Sequence, residues 1–398
     1  MAKYPTLLVL GASNYQCSVI QRAKERGVRV VVVDWSAENP GHTLAEEAHV
    51  ASTTDITTVL RIARRSNING IIAPATDVGV VTQAVVAEQL GLSGPPPQAA
   101  RLLTSKSAFF DYLLKLHYPV PPFETFVSNP PSGAPTAVSL PCIVKPDDSS
   151  GSKGVTLVSH RASFASAIAA ALEHSRSGIA LAQHYEAGFQ GTVEGCLLDG
   201  EIIFSCVTQR HLPAPPVVAT AGHSVPSGLA PAQIEQVLKD VRNILTSLSI
   251  FNSVFDADFV WSGEAPIFLE LTPRLGGNSL SQLIRFHYGI SIEDMAIDLA
   301  LTGTTSVVDR PPYVGASKVE LLHSEEGGRL EYDPARLRTA LAISGIKRIV
   351  LDHDPGKMVV PFMNGRHRFG EIVVQGPTRQ AADLAIDEAR AALLLRIV

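Results

Sequence analysis

The sequence predicts an α/β protein made of more than one packed unit. At 398 residues the chain is longer than one hydrophobic core usually supports. Over the first hundred residues, continuous apolar runs alternate with helical patterns, which is typical of a parallel sheet covered by helices. Hydrophobic residues make up 45% and charged residues 18%, the balance of a folded globular chain.

Two changes of pattern divide the chain. The Gly-Pro-Pro-Pro run at 94–97 interrupts the alternation, so we predict a first domain over 1–97 and a second over 98–303. A smaller β-rich segment, 304–398, follows. Strands are predicted at 6–10, 28–33, 71–73, 143–145, 155–158, 179–183, 192–198, 202–208, 254–261 and 267–271. Helices are predicted at 14–26, 162–174, 233–248, 279–287, 292–301 and 379–393.

Composition excludes several classes of protein. A formal net charge of −5 without a basic stripe argues against a nucleic-acid partner. No apolar run is long enough to span a membrane and no secretory signal is visible, so we expect a cytoplasmic location. The four cysteines lack CxxC spacing, which argues against disulfides and structural zinc. A homodimer is the default expectation.

A loop of small residues follows a strand that ends in Lys145. Serines and glycines over 149–155 let consecutive backbone N–H groups turn inward and bind phosphate oxygens, and Lys153 adds charge. The alternative is a surface hairpin with solvated lysines. The loop lacks GxxxxGK[ST] and opens no helix, so it is not a P-loop.

Three carboxylates lie in the last two strands of the second domain. Asp256 and Asp258 project from one face of their strand. Glu270 lies among apolar neighbours, where an unpaired carboxylate is costly. If the strands pair, Asp258 and Glu270 converge on a hard cation such as Mg²⁺. The alternative is a buried ion pair between Glu270 and Arg274.

These residues, in this order, resemble the ATP-grasp superfamily. The resemblance rests on Lys145 with its loop and on Glu-Leu-Thr-Pro-Arg-Leu-Gly-Gly at 270–277. It extends to Gly11-Ala-Ser, Thr76-Asp77 and Thr104-Ser-Lys106. It implies a pre-ATP-grasp parallel α/β domain over 1–97, an ATP-grasp domain of two α+β lobes over 98–303, and a small β-rich C-terminal lobe.

The resemblance implies ATP as the nucleotide and Mg²⁺, with Mn²⁺ as a substitute, as the metal. Thr272 stands where many members have asparagine. The resemblance places the adenine-binding hinge at 182–186, which lacks the usual paired glutamates, so Gln183 or Glu186 takes their place. The implied metal ligands are Asp258, Glu270 and Thr272. The implied nucleotide-binding residues are Lys106, Lys145, Ser150, Gly151, Ser152, Lys153, Gly154, Gln183, Tyr185 and Glu186.

Within the superfamily, the chain is most similar to carboxylate–amine ligases of the L-amino-acid ligase kind. The similarity lies in Gly-His-Ser-Val-Pro-Ser at 222–227 and in the tail around 360–376. It implies an ADP-forming ligase that activates a small carboxylate, such as an amino acid, as an acyl phosphate and couples it to an amine. Arg274 and Lys145 are the implied catalytic residues. The implied substrate contacts are His223, Arg210, Gly276, Gly277 and Asn278.

Three rivals are weighed against this interpretation. A nicotinamide dehydrogenase is suggested by Asp34 at the end of the second strand, but the first turn has one glycine, Gly11, where three are needed. An ATP-grasp carboxylase using bicarbonate is disfavoured by segment 222–227 and the tail. A non-catalytic nucleotide-binding module is disfavoured by the presence of both lysines, both metal carboxylates and Arg274.

Overall fold

The structure, a computed structural model, describes residues 4–128, 135–307 and 310–398. Its first unit is a parallel sheet in the order β3-β2-β1-β4, flanked by helices. The apolar runs that predicted its strands are buried because helices cover both faces. Its elements are β1 Thr6–Leu10, α1 Asn14–Glu25, β2 Arg29–Asp34, α2 Gly41–Leu44, β3 Glu47–Val50, α3 Ile56–Ser66, β4 Gly70–Ile72 and α4 Val80–Leu90.

A small antiparallel sheet in the order β5-β8-β6-β7 follows. The predicted phosphate-binding loop joins its strands β6 and β7. One face of the sheet packs on α7 through a compact apolar cluster. The elements here are α5 Pro97–Leu103, α6 Lys106–Lys115, β5 Phe123–Phe126, β6 Cys142–Pro146, β7 Thr156–Val158, α7 Phe164–His174 and β8 Ala180–His184.

The rest of the chain builds a large antiparallel sheet of eight strands, in the order β13-β12-β9-β10-β11-β14-β18-β16, and a separate sheet in the order β17-β15-β19. Its first half and the packed helices are β9 Phe189–Leu198, β10 Glu201–His211, β11 Gly222–Val225, α8 Pro231–Ser247, β12 Ser253–Trp261, β13 Pro266–Thr272, α9 Leu280–Tyr288 and α10 Ile292–Thr302. Its second half and the C-terminal elements are β14 Ala316–Leu322, β15 Gly328–Glu331, α11 Leu337–Leu341, β16 Ile346–Leu351, β17 Met358–Val359, β18 Gly370–Gly376, α12 Arg379–Ala392 and β19 Arg396–Ile397.

The C-terminal β-rich segment shares this large sheet. Strand β14 pairs with β11 in the register His223↔Val319, so β14, β18 and β16 extend the sheet past residue 303. The predicted α/β class, with a parallel first unit and antiparallel sheets after it, is confirmed. The domain boundaries after residues 97 and 303 stay predictions.

Membrane insertion by a helix finds no support in this fold. Within residues 4–128, 135–307 and 310–398, no helix is both long and apolar enough to cross a bilayer.

Candidate active site

A cavity of about 610 Å³ opens where the first unit, the small sheet and the large sheet meet. Most of the catalytic, nucleotide-binding, metal-binding and substrate-binding residues that the resemblance implies line this cavity. The three that do not are Gly154, Thr272 and Gly276. The residues that line it are Lys106, Lys145, Ser150, Gly151, Ser152, Lys153, Gln183, Tyr185, Glu186, Arg210, His223, Asp258, Glu270, Arg274, Gly277 and Asn278.

Two lysines reach the cavity from different elements. Lys145 lies at the end of β6, is 7% exposed, and holds its ammonium 5.4 Å from the centre of the Phe110 ring. Burial and the nearby Lys106 lower the pKa of Lys145 to about 7. Lys106 begins α6 and donates from Nζ to the backbone oxygen of Ser149 at 2.9 Å. The two cations therefore stand beside the same loop.

The loop after β6 takes a turn that its small residues permit. Gly151, Ser152 and Gly154 have φ values of 70°, 59° and 67°, in the left-handed region that favours glycine. The predicted contact of Gly154 is not seen, because a Cβ there would lie 2.9 Å from the His174 ring. Gly154 therefore packs toward α7, while Lys153 lines the cavity.

The predicted hinge leaves an acceptor without a partner. Gln183, on β8, is 3% exposed, and its Oε1 has no hydrogen-bond partner among the residues described. Tyr185 and Glu186 follow it along the cavity wall. Leaving such an acceptor unsatisfied costs free energy, so the site suits a ligand that donates a hydrogen bond there, as the amino group of adenine does.

Asp258 and Glu270 lie directly opposite each other on β12 and β13. Asp258 accepts from Thr192 Oγ1 at 2.5 Å and pairs with Arg210, while Glu270 Oε1 lies 3.6 Å from Lys106 Nζ. Burial raises the pKa of Glu270. Burial also acts to raise the pKa of Asp258, but Arg210 and Thr192 outweigh it and the net shift is downward.

This pair fits Mg²⁺ better than a metal that needs a full protein cage. The described part of the chain contains no group of three or more His, Cys, Asp or Glu arranged to hold a metal. Mg²⁺ typically takes one or two carboxylates and completes its shell with water and phosphate oxygens. The structure does not bring Thr272 to this site. That residue is fully buried opposite Asp256, and its hydroxyl donates to the backbone oxygen of Asp256 at 3.4 Å.

Arg274 is held between two carboxylates from distant parts of the chain. Its Nε and Nη2 lie 2.8 and 2.6 Å from Asp77 Oδ1, and its Nη1 donates to Asp256 Oδ1 at 3.0 Å. Burial acts to lower its pKa, but Asp77 and Asp256 outweigh this and raise it. The ion pair with Glu270 that the sequence left open is replaced by these two contacts.

Sequence reasoning noted Asp256 but missed Glu194, a second buried acid beside it. Glu194 on β9 lies directly opposite Asp256 on β12 and accepts from the backbone N–H of Gly276 at 2.9 Å. Burial raises the pKa of Glu194 to about 8 and that of Asp256 to about 7. A Cβ on Gly276 would lie 2.5 Å from Asp256 Oδ2. Gly276 thus permits a close approach and does not face the cavity. The sequence signal that could have identified Glu194 was the presence of a charged residue inside the apolar run 193–198.

His223 forms part of the cavity wall. It is 2% exposed on β11, and its Nδ1 lies 3.1 Å from Thr208 Oγ1. Burial lowers its pKa to about 3, so the imidazole is neutral at physiological pH.

Asp34 is occupied by its own turn. Its Oδ2 accepts from the backbone N–H of Ala12 at 2.8 Å, and its Oδ1 accepts from Ser36 N at 2.8 Å and Asn39 Nδ2 at 2.9 Å. These three hydrogen bonds give Asp34 a structural role in the turns after β1 and β2.

Two family models match the chain. An ATP-grasp domain matches residues 103–278, and an L-amino acid ligase C-terminal domain 2 matches residues 322–398. The chain therefore contains an ATP-grasp domain. Its last segment is of the L-amino acid ligase type, as the tail predicted.

Individual relatives agree with these matches. Carnosine synthase 1 of Gallus gallus is 25% identical to this chain, in a match that covers 86% of this chain and 40% of that protein. This chain thus spans less than half the length of that relative. The L-amino acid ligase of Bacillus licheniformis has a TM-score of 0.82 at 16% identity, covering 100% of this chain and 99% of that one.

A carboxylase has a similar fold. The biotin carboxylase domain dimer of the Hydrogenobacter thermophilus 2-oxoglutarate carboxylase, in complex with MgADP, ADP and bicarbonate, has a TM-score of 0.72 at 16% identity. The match covers 100% of this chain and 91% of that one. At such identities the likeness shows the fold alone, so the reaction has to be argued from the site.

Proposed function

We propose that this protein is an ADP-forming carboxylate–amine ligase. It activates a small carboxylate, such as an amino acid, as an acyl phosphate and couples it to an amine. One observation carries the proposal: the carboxylate pair Asp258–Glu270 and the two lysines Lys106 and Lys145 line a single cavity. Opposite charges arranged in this way suit a metal-bound triphosphate, in which negative oxygens contact both the lysines and the metal.

The proposed nucleotide site runs from the hinge to the carboxylates. Gln183 Oε1, which has no partner in the described structure, accepts from the adenine amino group. Lys106 and Lys145 contact phosphate oxygens, and loop 149–155 covers them. Asp258 and Glu270 hold Mg²⁺ or Mn²⁺, which when bound neutralises phosphate charge.

In the first step, a carboxylate oxygen of the substrate attacks the γ-phosphorus of ATP and the bond to ADP breaks. The guanidinium of Arg274, fixed between Asp77 and Asp256, orients the transferring phosphoryl group and stabilises its charge. Because both of its acid partners are already in place, the arginine needs no rearrangement during the reaction.

In the second step, the amine attacks the acyl carbon, the bond to inorganic phosphate breaks, and the proton lost by the amine passes to the departing phosphate. His223, neutral and buried at the cavity wall, is placed to contact the substrate during this step. Loop 149–155 excludes water, since an exposed acyl phosphate hydrolyses.

A matrix of carboxylic acids and amines, incubated with ATP and Mg²⁺ and assayed for ADP and phosphate, tests the function. We expect ADP formation that needs an acid and an amine together. Bicarbonate-dependent turnover without an amine would favour the carboxylase, and oxidation of NADH without ADP formation would favour the dehydrogenase.

We also propose that the enzyme acts in the cytoplasm as a homodimer. All four cysteines are free thiols in the structure, which suits a reducing compartment. Light scattering on the purified protein tests the dimer.

A further inference from the structure

The loop beyond Arg274 has an unusual backbone. Gly277 and Asn278 line the cavity, and α9 begins directly after Ser279. Asn278 and Ser279 have φ values of 52° and 57°. Two consecutive residues other than glycine in the left-handed region need support from their surroundings.

Ser279 does not use its hydroxyl in the ordinary way. A serine at a helix N-cap usually accepts a hydrogen bond from a backbone N–H of its own first turn. Here Ser279 is the N-cap of α9 but makes no such bond. Its hydroxyl instead donates to Glu371 Oε2 on β18, 92 residues further along the chain.

Glu371 is a fixed acceptor. It is 2% exposed, and it accepts from Arg368 Nη1 at 2.8 Å and from Arg348 Nε at 3.3 Å. Arg368 is held in turn by Asp352 at 3.1 Å and lies 4.4 Å from the centre of the Tyr15 ring. The support for the loop therefore comes from the C-terminal segment, braced against the first unit.

We propose that Ser279 and Glu371 are positioning residues for the ligase reaction, a role that rests on the proposed function. Their hydrogen bond holds Gly277 and Asn278 in the conformation that presents their backbone to the reacting carboxyl group. The C-terminal segment thereby influences turnover through the position of this loop. Misplacing such a loop by about 1 Å is enough to cost up to about a hundredfold in rate.

Three variants separate the effect of the Ser279–Glu371 hydrogen bond from the effect of the backbone conformation at Ser279. Ser279→Ala removes the hydroxyl and disfavours the left-handed backbone, whereas Ser279→Gly removes the hydroxyl and favours that backbone. Ser281→Ala is the matched control, because Ser281 lies on the same helix and its hydroxyl donates to Glu293 at 3.1 Å, away from the cavity. We expect kcat to fall about tenfold to a hundredfold in both Ser279 variants and to be unchanged in the control. Calorimetry should show an unchanged Kd for a non-hydrolysable ATP analogue in all three.

Hydrogen exchange of the backbone amides at 277–283 tests the Ser279–Glu371 hydrogen bond without any substrate. Faster exchange in both Ser279 variants than in the wild type supports a role of this hydrogen bond in holding the loop. This result stands even if the acid–amine screen fails, and that failure would contradict only the proposed function. A kcat within about twofold of wild type in Ser279→Gly would overturn the proposal, because the backbone would then suffice without the hydrogen bond. Loss of kcat only in proportion to loss of folded protein, measured by thermal melting, would also overturn it.

Discussion

Two of the arginines that line the cavity, Arg274 and Arg210, have different partners. Arg274 is held by two acids, Asp77 and Asp256, neither of which is a proposed metal ligand. Arg210 pairs with Asp258, which is a proposed metal ligand. Both side chains are about equally buried, at 10% and 12% exposure, so burial does not separate them.

The difference indicates separate roles. Under the proposed function, Arg274 keeps its partners when the metal binds and stays fixed where the phosphoryl group transfers. Arg210 pairs with the proposed metal ligand Asp258, and its Nε has no hydrogen-bond partner in the described structure. Under the proposed function, metal binding weakens the Arg210–Asp258 pair and leaves a guanidinium available to an anionic group of the substrate. An arginine that exchanges its partner and one that keeps both partners should respond differently to mutation.

The largest expected effect belongs to the metal pair. Glu270→Gln removes one of two negative charges, and we expect turnover to be abolished while the fold survives, with higher Mg²⁺ restoring little. Activity and melting temperature are measured on one preparation, with the exposed Glu264→Gln as the control. A lowered melting temperature with normal activity per folded molecule would instead make Glu270 structural.

Arg274→Lys should come next. A lysine offers a point charge where the guanidinium bridges Asp77 and Asp256 and still has an N–H donor left for the phosphoryl group. We expect kcat to fall by roughly a hundredfold or more, on the scale of losing one preorganised donor. Nucleotide Kd should change little by calorimetry, and Arg285→Lys on the exposed face of α9 should behave as wild type. Loss of nucleotide binding in step with activity would contradict the assignment.

Arg210→Gln should change two quantities in opposite directions. Freeing Asp258 should strengthen Mn²⁺ binding in the presence of ADP by about threefold to tenfold, since an ion pair no longer competes. Loss of the cation should raise the KM of the carboxylate substrate by about tenfold. Electron paramagnetic resonance measures the affinity for Mn²⁺, and steady-state kinetics measure the KM of the carboxylate. The control is Arg242→Gln, whose partner Glu201 lies at the surface. Weaker Mn²⁺ binding would mean that Arg210 supports the metal site.

The smallest effect is a pH dependence of nucleotide affinity. The pKa of Lys145, about 7 without ligand, means that the cation is lost as the pH rises above this value. The Kd for ADP should therefore rise, by at most about tenfold per pH unit, between pH 7.5 and 9. Lys145→Arg, which stays charged, should flatten this dependence, and the surface variant Lys239→Arg should leave it unchanged. An unchanged slope in Lys145→Arg would place the titration elsewhere.

The sequence predicted local features of this site better than distant ones. The strand ending in Lys145 and the opposed pair Asp258–Glu270 follow from apolar patterning and strand periodicity, which act over a few residues. Asp77 was noted only within the resemblance, because its contact with Arg274 spans 197 residues. The Ser279–Glu371 bond was missed for the same reason.

Other features of the fold give weak local signals. Strand β3 has an alternating polar pattern and only four residues, and it forms because β2 offers a parallel edge. The extension of the large sheet through β14 depends on pairing across a distant segment, which no local pattern encodes. Thr272 shows the opposite error. A family position was carried over, but the strand register buries the side chain against Asp256.

The central claim is that the carboxylate becomes an acyl phosphate, and oxygen transfer tests this most directly. The acid that supports turnover in the screen is labelled with ¹⁸O in both carboxylate oxygens, and the released phosphate is analysed by mass spectrometry. We expect one ¹⁸O in each phosphate and ADP as the nucleotide product, because the attacking oxygen stays with phosphorus. Unlabelled phosphate, or AMP with pyrophosphate, would contradict the account.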